Sequence, residues 1–219
     1  MAEYDMELGE NLKMKDSPSA EYSEATTKRF IEDAIFLYQN ATKSTDALEK
    51  KRYSRLAVTV IPYYLESLSN YLYDEIINRT LDDVDQRTEL PKPVRKFRAV
   101  YNNCFNKELP DQDINGIRDI FTIRNRITAH PQGRSNLVST NTGWERNDIT
   151  ITYYKLNNLP KVYSDFELKY THLIFTEVHD FLTKYITSIK GNLTDKQYNY
   201  IWPEELITWK SNNPSPPPL

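Results

Sequence analysis

One stretch concentrates the side chains able to do chemistry: Arg124-Asn125-Arg126-Ile127-Thr128-Ala129-His130. Histidine exchanges protons near neutral pH. Arginine presents a planar fork of donors that fits a phosphate. Together they suit a phosphodiester, the imidazole taking or giving a proton while a guanidinium stabilises charge developing on phosphate oxygens. Arg126 and His130 are four apart and can share a helix face. Arg124 and His130 are six apart and converge only if the helix tightens or ends before the histidine. Pro131 disfavours helical geometry at His130 and puts it at a helix end. This spacing leaves both arginines open as the phosphate contact. The plainer alternative is a structural histidine that complements the helix dipole.

The elements that must position this stretch are helices. The chain has 219 residues, enough for one domain, and only 5 glycines. A chain poor in Gly and rich in Leu, Ile, Tyr, Glu and Lys reads as helical. Ser23 can cap a first helix to about Lys43, with Phe30, Ile31, Ala34, Ile35, Leu37, Tyr38 and Ala41 as its apolar stripe. A second runs from about Asp46 to Arg79, with a stripe from Leu56 to Ile76; Pro62 inside it predicts a kink, or two helices meeting near Ile61. Pro93 to Phe105 reads as a third helix. Asp113 caps a fourth, whose buried face is Ile114, Ile117, Ile120, Phe121 and Ile127, and which ends at His130. Gln132 to Asn147 reads as a loop. Ile149 to Tyr154 reads as a strand that can turn at Asn157-Asn158 onto a partner around Lys161 to Tyr163. A last long helix spans about Asp165 to Ile189, with Leu168, Leu173 and Ile174 among its inward positions and Gly191 ending it. One or two short helices follow from Thr194 to Lys210, with Trp202 and Trp209 pinning them to the bundle. The expected fold is mainly all-α: an antiparallel bundle of four to five helices with a small β-hairpin inserted before the last long helix. Residues 1–22 form a polar arm, 23–190 the bundle and 191–219 an extension with a proline-rich tail.

Charge narrows the function classes. The net charge is −3, so the whole chain is no generic polyanion binder. From Lys92 to Arg134, however, nine basic residues stand against four acids, a local +5. Glycine-rich phosphate loops, paired-cysteine zinc patterns and nucleophile elbows do not occur. His172 and His179 are seven apart and project from a similar helix face, but a zinc site needs further, more convergent ligands. Neither a metal nor a cofactor is expected. Tyr63, Tyr64, Tyr71 and Tyr73 can stack on bases or serve as core. The single Cys104 reads as a core residue and fits a reducing compartment. An acidic, polar N-terminus and the lack of a long apolar run point to a cytoplasmic protein without a membrane span.

The Arg124-Asn125…Ala129-His130-Pro131 pattern resembles the HEPN superfamily, whose members carry an Arg, a polar residue and then a His at the end of a bundle helix. The spacer here is five residues, and the motif lies late in the fourth helix. HEPN domains often place an acidic or amide residue on the second helix facing the motif; Glu66 and Asn70 share such a helix face. The resemblance spans about residues 25–190. It implies a helical bundle, often a symmetric homodimer, and RNA as the partner. Active members are similar to metal-independent endoribonucleases that use the ribose 2′-hydroxyl as nucleophile and leave a cyclic phosphate. By this resemblance His130 is the general base or acid, Arg124 holds the scissile phosphate and Asn125 orients the pair, with Arg126 and Glu66 in support. Such proteins act as toxins with a cognate antitoxin, in phage defence or in RNA processing. Others have lost activity and remain helical dimerisation or protein-interaction modules.

Overall fold

The computed structural model describes residues 19–77, 90–124, 137–140, 143–146, 153–154, 159–160 and 167–216. Over them the chain is mainly helical. Helices α1 (Ser19–Lys43) and α2 (Ala47–Ile77) form an antiparallel pair. The Thr27 and Ser67 hydroxyls meet across it, and the Phe30 ring lies 5.9 Å from that of Tyr63. Asp46 starts α2: its Oδ1 accepts the N–H groups of Leu48 at 2.7 Å and Glu49 at 2.9 Å. The Glu49 and Leu48 donors hold the Asp46 carboxyl below its usual range. Pro62 is buried within α2, which is one helix and not two meeting near Ile61. The missing backbone donor costs about 3 kcal/mol. Full burial of Ile61 and Leu65 beside it offsets that cost.

α3 (Lys92–Phe105), α4 (Asp111–Ile123) and α5 (Leu168–Ile189) complete the bundle. α2 packs on α3 and α5, and α4 packs on α5. Phe97, Phe121, Phe175 and Ile186 are fully buried among them. Two expected inward positions face solvent instead: Leu56 is 47% exposed and Leu173 is 41% exposed. Each precedes a fully or nearly fully buried residue, Ala57 and Ile174. Successive helix residues turn by about 100°, so the edge of the apolar stripe falls between them. α4 meets α5 closely at Gly116, where an added Cβ would lie 1.8 Å from Glu177 Oε1.

Several boundaries differ from those expected. α1 begins at Ser19, which leaves Ser23 inside it. Pro110, not Asp113, is the N-cap of α4; Asp113 sits in the first turn and pairs with Lys184 at 2.5 Å. Gly191 does not cap α5 in left-handed geometry, since α5 passes into a 3-10 turn at Lys190–Asn192. The left-handed cap is Asn106 after α3, with φ 50°. The C-terminal segment forms two helices, α6 (Asp195–Ile201) and α7 (Glu204–Asn212). A reciprocal Thr194–Gln197 capping box starts α6. Trp209, 3% exposed, anchors α7 against Tyr38 and Phe175.

Among the described residues, four short strands lie between α4 and α5. β1 (Leu137–Thr140) pairs antiparallel with β2 (Gly143–Arg146), inside the segment expected to be a loop. The hairpin expected from Ile149–Tyr154 against Lys161–Tyr163 is not borne out. β3 (Tyr153–Tyr154) meets β4 (Leu159–Pro160) over only two residue pairs. Pro160 has no N–H to extend a ladder. The rest of that expected hairpin, the arm before Ser19 and the last three tail residues lie outside the described residues. None of the described helices is long and apolar enough to cross a membrane.

Candidate functional site

α4 delivers Arg124 to the face of α2. Arg124 keeps helical geometry, and its N–H reaches the carbonyls of Ile120 and Phe121. Its Nη2 lies 3.2 Å from Glu66 Oε2, and its Cζ lies 5.2 Å from the centre of the Tyr63 ring. Tyr63 and Glu66 are three apart on α2, so ring and carboxylate present a common surface to the guanidinium. The two charged side chains are 23% and 35% exposed. Partial solvation limits the pair to about 1 kcal/mol.

One turn further along α2, Asn70 meets Lys96, which in the sequence stands out only as one of nine basic residues. Lys96 on α3 is 2% exposed, its Nζ donates to Asn70 Oδ1, and it stands 5.9 Å from the Tyr73 ring centre. Burial, then the charge of Lys92, pushes its ammonium down to about 8, against the pull of Asp74 and Glu66. The signal was present in the spacing. Pro93, Phe97 and Val100 are three before, one after and four after Lys96, and all are buried. They place position 96 on the inner face of the helix.

The described part of the site thus joins α2, α3 and α4 through Glu66, Asn70, Lys96 and Arg124. Arg124 supplies fixed positive charge, already oriented by a carboxylate. Lys96 supplies an ammonium that exchanges its proton near neutral pH. Asn125, Arg126 and His130, together with Ile127 and Pro131, lie outside the described residues. The basic stretch is also less of a surface than its count suggests: Lys96 is internal and Arg98 is paired with Asp111.

The other candidates resolve into structure. His172 is 2% exposed, and its Nδ1 lies 3.0 Å from the Tyr38 hydroxyl. Burial, then the Lys210 charge, lowers its affinity for a proton. His179 pairs instead with Asp180 at 2.7 Å. Among the described residues no three metal-ligating side chains gather. Cys104 is half-buried against the core, and burial pushes its thiol up. Tyr64 and Tyr73 are buried, whereas Tyr63 is 40% exposed beside Arg124. No family model matches the chain, and neither a curated protein nor a solved structure matches it.

Proposed function

We propose that this is an HEPN-like protein acting on RNA, a metal-independent endoribonuclease working as a homodimer in a cytoplasmic defence or toxin-antitoxin setting. The observation that carries the proposal is the Arg124–Glu66 contact at 3.2 Å. Arg124 was singled out by the Arg-Asn…His pattern and Glu66 by its place on the second helix. They are far apart in sequence, yet the fold brings them together. Arg124, oriented by Glu66 and Tyr63, holds the scissile phosphate. His130 moves the proton of the ribose 2′-hydroxyl, and Asn125 orients the two. The basic side chains of this stretch other than the buried Lys96 and the paired Arg98 supply the phosphate contacts that dominate RNA affinity. A cognate antitoxin would be a protein that covers this face.

The test is cleavage of total RNA in the presence of EDTA by the intact protein, by His130→Ala and by Arg124→Ala. Each variant is first checked for folding by circular dichroism. The expected loss is about 10²- to 10⁴-fold for either substitution. Undiminished cleavage by folded His130→Ala would sink the assignment of the general base. Specific RNA binding without cleavage by any of the three would favour the non-catalytic interaction module, consistent with a guanidinium already engaged by Glu66.

A further inference from the structure

A second concave site lies where α1, α2 and the corner between α6 and α7 meet. It is a cleft of about 310 Å³. That is room for roughly ten water-sized atoms. Its floor is apolar and closed: Ile31, Leu68 and Ile201 are at most 2% exposed. Aromatic side chains form its walls, namely Tyr64, Tyr200 and Trp202. Two of these are braced from outside the cleft. The Tyr71 ring meets Tyr200 edge-on at 4.4 Å, and Tyr198 stacks on Trp202 at 5.3 Å. The walls are therefore in place before any ligand arrives.

The rim decides the charge of that ligand. Lys28, Glu204 and Glu205 line it, and Lys28 Nζ lies 3.0 Å from Glu205 Oε1. That pair neutralises itself and leaves Glu204, which makes no ion pair among the described residues. Both glutamates stand in the first turn of α7, where the helix end favours negative charge. Pro203 at the N-cap has no N–H to offer an anion. Burial, then the nearby Glu205 charge, keeps the Tyr64 phenol protonated far above its usual range. Aromatic faces under a carboxylate rim are the chemistry that holds a positive nitrogen.

We infer that this cleft binds a small organic ammonium cation, its alkyl groups against the aromatic walls and its charge shared by Glu204 and Glu205. The site is separate from the α2–α3–α4 cluster and does not depend on RNA cleavage. Lys28 is its built-in competitor, because a ligand must share Glu205 with it.

The experiment is a titration of the full chain with choline chloride at constant ionic strength, followed by tryptophan fluorescence. The neutral isostere 3,3-dimethylbutan-1-ol is run in parallel. Choline should give a saturable change that Trp202→Phe abolishes, with the isostere about tenfold weaker. Glu205→Gln should weaken choline several-fold. Lys28→Met, which vacates Glu205, should strengthen it. Equal binding of choline and the isostere would reduce the cleft to an apolar hole and overturn the inference. So would weaker choline binding by Lys28→Met, a signal that survives Trp202→Phe, or no saturable change in either the natural chain or Lys28→Met.

Discussion

The face where α2 meets α3 and the face where α7 docks on α1 and α5 each bury a titratable side chain, and they treat it in opposite ways. His172 lies among rings, 5.2 Å from Trp209 and 6.1 Å from Tyr38 between ring centres, with the Tyr38 hydroxyl as its partner. Its neutral form fits, and burial keeps it neutral. Lys96 has an amide and a more distant tyrosine ring, and below about pH 8 it carries a charge inside the protein. One face is built for adhesion by apolar packing. The other accepts a buried cation that packing does not need. Strained electrostatics of the second kind gather at functional sites, and this one adjoins Glu66 and Arg124.

The largest effect that tests the contrast is on the adhesive face. Trp209→Ala should destabilise the protein by about 3–5 kcal/mol in urea unfolding, because it empties a site bounded by Tyr38, His172 and Phe175. A loss below about 1 kcal/mol would mean that α7 is held by something other than this packing.

Lys96→Met comes next and probes the electrostatic face. The folded-state value near 8 lies below the ordinary 10.5, so between them the unfolded chain binds more protons. Lys96 therefore opposes folding most below pH 8, and its burden lifts as pH rises. Relative to Lys96→Met, the natural protein should gain about 1–2 kcal/mol from pH 8 to 9.5. The buried phenols of Tyr64 and Tyr185 stay common to both proteins, so the difference isolates Lys96. A flat difference would mean that Lys96 titrates as a solvated amine.

The smallest effect concerns His172 and has its own pH window. Its proton affinity in the fold lies below the ordinary 6.5. The stability it contributes is present above that value and is lost as pH falls through the lower, folded one. From pH 7 to 5 the natural protein should lose stability relative to His172→Gln, read as a falling difference in urea midpoint. Equal acid sensitivity of the two proteins would place the titration elsewhere.

Long periodic stripes made most of the bundle readable. α1, α2 and α5 repeat their apolar residues over many turns, so small errors in phase do not hide them. Short-range signals misled at the edges. Asp113 has a capping residue's chemistry, but Pro110 already sets the turn and Lys184 claims the carboxylate. The strand-like Ile149–Tyr154 run carried no record of where its partner would meet a proline. Within the candidate site, Arg124 and Glu66 stand out in the sequence because each belongs to a local pattern, and the fold puts them in contact. Lys96 was missed because charge counting treats every lysine as solvated, although its buried helical neighbours give its position away.

The close approach at Gly116 has a mechanical consequence. Gly116 presses α4 against Glu177 of α5, and Asp113 fastens the start of the same helix to Lys184. Arg124 lies eight residues beyond Gly116, about 12 Å along the axis. α4 is thus a lever with its fulcrum at the glycine and its load at the guanidinium. A tilt of about 5° carries the load about 1 Å. That distance separates a direct contact with Glu66 from a broken one. A methyl group at position 116 would either turn Glu177 aside or tilt the lever, and so be felt at Arg124 without touching it.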